Sequence, residues 1–421
     1  VLPLGFGALS LQHVRFASLG GLALCPVACA CLSALAERRR WARASALLVG
    51  MALAVGLAWR LSRTPLGPQP RWSVYPRATV SFLQQRGLRG RVFNQYAFGG
   101  YIIWHLYPRV KVFIDGRTPT LHPSERLWVH QAVLRRPEAF ARLAQRWDID
   151  LVLVRPETAL ARALEEDPRW HLLAFDDVSA LWSRQDLPGS YRHLRVCGDL
   201  RGLLGDGRRR LDEIERELRR AAREQPSFLA YNLLGTLLGE GRHDFRGALA
   251  AFRRAAALRP RSPVVHYNMA LALQRLGRLE EALEEIRKAL RWGRDPAYLK
   301  RAGIICYQLG RWRAAVRYLE RYRRRVRDRA SPLVYERLGI AWLRLGQPLR
   351  ARRFLKRVLL LSPEPHRQAL TWYNLGNVEF ALGRWSEAID CYRRALALEP
   401  DLREARHNLQ KARQRLAAGG D

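Results

Sequence analysis

Lysine is almost missing from this sequence: it supplies only 5 of the 73 basic residues, leaving 68 arginines, and methionine occurs twice in 421 residues. Such a skew matches the codon usage of a GC-rich genome, so the net charge of +35 is a weaker sign of nucleic-acid binding than its size suggests. Six cysteines are too few to staple a chain of this length as a disulfide scaffold, and Cys25, Cys29 and Cys31 share one apolar stretch with no His nearby to complete a zinc set. Also absent are a nucleophile elbow, a His-Glu-x-x-His helix, a Walker loop and a dinucleotide glycine fingerprint, which disfavours a self-contained enzyme. No cofactor and no metal site is expected.

What is present is apolar enough, at 48% hydrophobic residues, to exclude a mainly disordered chain. Residues 16–36 carry no charge over 21 positions, and residues 44–59 form a second uncharged run of 16 flanked by Arg43 and Arg60. Two transmembrane helices are expected within residues 1–63, preceded by part of an earlier one in the apolar run 2–11. A signal peptide ending at Ala34-Leu35-Ala36 is the other reading of the first run; the second run after a short basic loop favours a helical hairpin. Arg38, Arg39, Arg40 and Arg43 place that loop in the cytoplasm by the positive-inside rule, and the rest of the chain outside. Arg60, Arg63, Arg71 and Arg77 also lie within about 20 residues of the second run, so charge density decides the orientation. The chain begins at Val1 without Met, inside an apolar run, and is expected to be part of a longer protein.

Residues 64–76 contain four prolines and read as an extended linker. An α/β domain is expected over 77–186, with strands at 91–95, 110–115, 151–154, 171–176 and 179–183 and helices at 98–106, 124–147 and 157–166. Asn94 and Asp115 fall at the carboxyl ends of strands, where open α/β sheets place ligand groups, and Arg117 adds an anion-binding fork. They are candidate sugar or phosphate contacts; capping of the following segments and an Asp115–Arg117 pair are the simpler alternative. Asp148-Ile-Asp150 precedes its strand rather than following it, which speaks against a metal-binding Asp-x-Asp pair. His105 and His122 have no partners at metal-ligand spacing.

The run Arg91-Val-Phe-Asn-Gln-Tyr-Ala-Phe-Gly-Gly-Tyr-Ile-Ile-Trp104, followed by Lys111-Val-Phe-Ile-Asp-Gly-Arg117, resembles the soluble region after the last membrane helices of bacterial GT-C-type glycosyltransferase-like proteins. Val14-Arg-Phe-Ala-Ser-Leu into Pro26 is similar to a late membrane helix of the same proteins. The resemblance covers roughly residues 10 to 185, about one domain, and implies a bacterial inner-membrane protein. The family moves a sugar from a lipid-linked donor, using carboxylates in an early outer loop that would precede Val1. This chain alone is therefore not expected to be catalytic.

The strongest pattern is a repeat downstream of residue 227. Trp372-Tyr-Asn-Leu-Gly376, Gly383-Arg-Trp-Ser-Glu-Ala388, Tyr392, Ala395 and Pro400 match the tetratricopeptide repeat, and Ala248, Ala282, Ala315, Ala351 and Ala388 recur at spacings of 34, 33, 36 and 37. Gly235, Gly303, Gly339 and Gly376, with Ala270 in the second unit, supply a small residue on each first helix. Phe252, Ile286, Leu319, Leu355 and Tyr392 fill the layer beside them, and Pro260, Pro363 and Pro400 close three units. Five repeats over 227–401 are expected, with residues 187–226 as linker and degenerate half-repeat and 402–421 as a capping helix. In the third unit Tyr322 and the run Arg323 to Arg329 replace the closing pattern, so the stacking is expected to change there.

The fold class is thus mixed: membrane helices, a small α/β domain and an all-α tetratricopeptide superhelix. Resemblance to the repeat family implies that the first helices line a concave groove for a protein or peptide, and here they offer Asn232, Tyr267, Lys300, Tyr307, Glu336, Tyr373, Asn377 and Phe380. The sequence reads as a membrane-anchored scaffold at the cell envelope, its folded domains extracytoplasmic. The alternative is the C-terminal part of a polytopic GT-C-type transferase. The C-terminal half carries an excess of +24, consistent with contact to anionic lipid; nucleic acid is not expected, because the arginines are dispersed and no recognition motif is present.

Overall fold

The structure, a computed structural model, describes residues 74–117, 124–197 and 208–419. The two expected membrane spans, the cysteines within them, most of the Pro-rich linker and His122 lie outside the described residues. Among the described residues no helix is long and apolar enough to cross a membrane. Every element below belongs to one compact unit, Tyr75–Asp421.

The first part is a small α/β sheet. Helix α1 (Arg77–Gln85) leads into β1 (Gly90–Asn94), α2 (Gly99–Leu106) and β2 (Val110–Val112). Then come α3 (Ser124–Arg135), α4 (Phe140–Arg146), β3 (Ile149–Val154), α5 (Ala159–Glu166), β4 (His171–Phe175) and β5 (Ala180–Ser183). The strands stand in the order β2-β1-β3-β5-β4. β1 runs parallel to β2 and β3, and β5 runs antiparallel to both β3 and β4. The β4–β5 hairpin therefore folds back so that its second strand pairs with β3.

Strict alternation along the strands sends side chains to two cores. Val92, Leu151, Leu153 and Leu181 pack with Val80 and Leu83 of α1 and Phe98, Ile102 and Leu106 around α2. Phe93, Val152, Val154 and Trp182 face the other way, onto Val133, Phe140, Leu160 and Leu164 of α3 to α5. The five strands follow the expected chain order; β2 is shorter than expected, and beyond it the Phe113 N–H still reaches the Val92 carbonyl at 2.9 Å while Asn94 takes the Ile114 N–H.

The second core does not end with the sheet. It continues through Tyr191 and Leu194 into α6 (Arg208–Glu224), whose Leu211, Ile214, Leu218 and Ala221 recur at helical spacing, and on into the helical array. Polar contacts reinforce the junction. The Glu217 carboxylate accepts the backbone N–H groups of Arg192, His193 and Leu194 at 2.9, 3.1 and 2.7 Å. Asp177, in the β4–β5 turn, accepts the N–H of Leu229 at 2.8 Å and pairs with Arg259 at 3.2 Å.

Five antiparallel helix pairs follow. They are α7 (Phe228–Thr236) with α8 (Phe245–Leu258), α9 (Pro263–Arg275) with α10 (Leu279–Trp292), α11 (Pro296–Gln308) with α12 (Trp312–Val326), α13 (Pro332–Arg344) with α14 (Pro348–Leu361), and α15 (Pro365–Ala381) with α16 (Trp385–Leu398). Helix α17 (Arg403–Ala418) buries Ala405 and Ala412 against the last pair. Proline opens α9, α11, α13 and α15, where its missing N–H costs no helical bond. Glycine at positive φ (Gly277, Gly310, Gly346, Gly383) turns the chain between the helices of pairs two to five. The first pair departs from this: a π turn, Leu237–Gly241, ends α7 and His243 takes the positive φ.

The five recurring alanines are all fully buried. A β-carbon on Gly235, Gly303 or Gly339 would lie 2.5, 2.5 or 2.6 Å from Phe252, Leu319 or Leu355, and one on Gly376 would run into the Tyr392 ring. The small residue on each first helix thus exists to admit the large residue of its partner helix. At the third unit Tyr322 is buried among Leu319, Ala330 and Val334, and the chain turns through a short 3₁₀ segment, Arg327–Arg329, with Arg327 at φ 51°.

Candidate partner-binding groove

Because each first helix lies beside the next first helix, the side chains that point away from the second helices form one continuous face. An amide ladder crosses it: Asn268 donates to Asn232 at 3.0 Å, Gln274 donates to Gln308, and Arg301 donates to Gln274 at 2.9 Å. Aromatic and cationic groups alternate with the amides. Tyr267 stands 5.3 Å from Tyr298 with the Arg301 guanidinium 5.9 Å from its ring, and Arg337 lies 4.5 Å from the Tyr307 ring. Tyr307 in turn meets Trp312 edge-on at 5.3 Å, and Phe380 meets Trp385 at 4.8 Å.

The groove positions expected from spacing, Asn232, Tyr267, Lys300, Tyr307, Glu336, Tyr373, Asn377 and Phe380, are all half-buried, and all sit on first helices. Half-burial leaves part of each side chain accessible. Asn377 is the most committed of them: its side-chain oxygen accepts from Tyr392 and from Asn408 of the capping helix, both at 2.8 Å. Burial raises the pKa of Tyr392, which keeps its hydroxyl a donor in that bond.

Sequence reasoning missed Asn268, Gln274, Arg301, Gln308 and Arg337. The available signal was that Asn232 and Asn268, and likewise Gln274 and Gln308, stand one repeat apart, which puts like amides on neighbouring first helices.

In the α/β part, Asn94 closes β1, and Asp115 and Arg117 follow the end of β2. Asn94 is fully buried; its oxygen accepts from Phe113 and Ile114 at 3.0 and 3.4 Å, and its amide donates to Ile114 and Gln95 at 2.8 and 2.9 Å. All of these bonds are to backbone, so Asn94 locks the exit of β2 to β1. Asp115 accepts the Arg117 N–H at 2.9 Å and its guanidinium, two-pronged, at 2.8 Å. Gly99 belongs to the same knot, since a β-carbon there would collide with the Ile114 carbonyl and Asp115. His130 donates from Nε2 to the Asn94 carbonyl at 2.9 Å, and burial lowers its pKa. Asp150 is occupied with the N–H of Arg91 at 3.1 Å. Among the described residues no group of three or more His, Cys, Asp or Glu side chains is arranged to hold a metal ion.

Family models described as tetratricopeptide repeat match residues 237–303, 301–365 and 369–402. This part of the chain carries tetratricopeptide repeats. Solved structures similar to it include YrrB, a TPR protein with an unusual peptide-binding site, at 20% identity and a TM-score of 0.42 over 46% of this chain and 97% of YrrB. Another is pilF of Pseudomonas aeruginosa, at 18% identity and a TM-score of 0.40 over 48% of this chain and 90% of pilF. A third is MamA, at 17% identity and a TM-score of 0.37 over 41% of this chain and 92% of MamA. No curated protein matches the chain.

Proposed function

We propose that this protein is a scaffold that holds a protein or peptide partner against the first-helix face of its repeats, and that it does so at the cell envelope, anchored through residues 16–36 and 44–59. The observation that supports partner binding is the face itself: half-buried aromatics and amides are fixed in place by neighbours one repeat away, so an extended segment laid across them meets preorganised donors, acceptors and ring edges. The junction at α6 supports a scaffold rather than a tethered module, because a continuous apolar core joins the sheet to the first repeats. The test is affinity capture from a membrane extract with the purified chain and with Tyr307→Ala/Tyr373→Ala. A protein retained by the first and lost with the second supports the groove; equal retention by both overturns it.

Anchoring rests on the two uncharged runs, and protease protection of the repeats in intact spheroplasts checks the orientation. The parallel reading, the C-terminal part of a GT-C-type transferase, rests on the 91–117 resemblance. It requires further apolar segments and an acidic outer loop encoded upstream of Val1; a reading frame without them removes it.

A further inference from the structure

Helices α12, α13 and α14 of repeats three and four enclose a cleft of about 840 Å³. Its floor is apolar: Val316, Tyr335, Trp342 and Phe354. Its walls are arginine. Arg317, Arg321 and Arg324 stand at i, i+4 and i+7 along α12, and Arg350, Arg353 and Arg357 at i, i+3 and i+7 along α14, so each set faces the cleft from one helix side. Arg323, also in the lining, is committed to Glu320 at 2.9 Å, and Glu320 is the only acidic residue in the lining. Among the described residues Arg317, Arg321, Arg324 and Arg353 have no carboxylate partner.

Codon bias does not account for this placement. It would spread arginine evenly, yet α10 balances three basic residues with four acidic ones and α16 two with two, α8 carries three against none, and α12 carries six basic residues against one acidic and α14 five against none. Like charges three and four residues apart destabilise a helix by a few tenths of a kcal/mol each. The charge is concentrated on two of the helices that form the cleft. Low-dielectric walls beneath it focus the field into the opening. The indole N–H of Trp342 is buried in the lining without an acceptor, and the Arg350 guanidinium lies 4.7 Å from the same ring.

We propose that this cleft binds a compact, multiply charged phosphate group. Its volume corresponds to a cube of roughly 9 Å edge, which an extended peptide crosses in about three residues, and so with at most about three charges. A di- or triphosphate brings as many charges into less space, and guanidinium forks match its oxygens two at a time. The phosphate can belong to a soluble compound or to a lipid headgroup. The proposal is independent of the first-helix groove, none of whose residues lines the cleft.

Titration calorimetry of the full chain with inorganic tripolyphosphate, at about 0.15 M salt, tests it. The expected result is saturable one-to-one binding, weakened about tenfold for each arginine removed in R321A/R353A, as loss of a charge-assisted hydrogen bond requires. R253A/R393A removes two arginines from the outer helices of other repeats and is expected to change the affinity by less than about threefold, since their charge is screened. Equal weakening in both variants means diffuse attraction and overturns the site, as does absence of binding. Displacement of tripolyphosphate by a hexaglutamate peptide at lower concentration also overturns it, in favour of an acidic chain. Vesicles of phosphatidylcholine, with and without phosphatidylglycerol, then separate the sources. Displacement by the anionic vesicles alone supports a lipid phosphate in the cleft, and retention against both supports a soluble one.

Discussion

A methyl group added at Gly339 tests whether the small-to-large pairing is what seats each repeat. The new β-carbon would stand 2.6 Å from Cγ and 2.8 Å from Cδ2 of Leu355, about 1 Å inside the ordinary contact distance for two atoms at once. Overpacking of that severity falls at the upper end of its usual range, about 3 kcal/mol, against which alanine returns about 1 kcal/mol of helix propensity. Gly339→Ala is therefore expected to cost about 2 kcal/mol. Leu355 is fully buried, and Leu355→Ala is expected to cost about 3 kcal/mol. If the two residues act only through each other, the added methyl enters space that the leucine has left. The double variant is then destabilised by about 2 kcal/mol rather than the additive 5, a coupling of about 3 kcal/mol. Native-state hydrogen exchange at the protected amides of α13 and α14 reads these local opening energies without assuming two-state unfolding of the array. Gly346→Ala is the control: it places a side chain at φ 70° in open space, so its cost of about 1 kcal/mol should add simply to that of Leu355→Ala. An additive Gly339/Leu355 double variant would refute the packing argument.

Three further outcomes follow from hydrogen-bonded polar side chains. His266 hydrogen-bonds the Glu285 carboxylate at 2.7 Å and the Pro260 carbonyl at 2.8 Å, and the Glu285 bond raises its pKa above 6.5. The pair's contribution is then fully present below about pH 6.5 and is lost as pH rises through the higher folded-state value. Melting curves from pH 6 to 9 should show this decline, and Glu285→Gln should flatten it. Asn94→Ala strands the backbone N–H and carbonyl of Ile114 and is expected to lower stability by about 2–4 kcal/mol; a loss below 1 kcal/mol in urea unfolding would show that the knot is not structural. Asp177→Ala removes the acceptor for Leu229 and the partner of Arg259, so exchange should accelerate in the first turn of α7 by about 1 kcal/mol of opening energy and stay unchanged in α15.

The repeats were legible because their physics is periodic. An alanine every 33 to 37 residues and, in four of the five units, a glycine one helix earlier can be counted along the chain, and the structure sets each of those glycines against the large residue of its partner helix. Strand order in the α/β part was not legible: β5 lies between β3 and β4 because the hairpin folds back, a choice of register that alternation alone leaves open. Residues 208–224 read as part of a linker and degenerate half-repeat; that their apolar stripe also joins the sheet depends on packing that the sequence does not show. At Asn94 the residue type and strand-end position were visible, but its saturation by backbone partners depends on where β2 comes to rest. The arginines of α12 and α14 read in the sequence as dispersed outer-face charge, because the distance between two second helices cannot be read from either one.

The account stands or falls on which face of the repeats meets a partner. Site-specific photo-crosslinking in the native host settles it, with a photoreactive residue placed at Tyr307 or Tyr373 on the first-helix face and, for comparison, at Arg253 or Arg393 on the outer helices. The expected result is a discrete protein adduct from the first two positions and none from the others. Adducts from the outer positions alone, or equally from both faces, would contradict it.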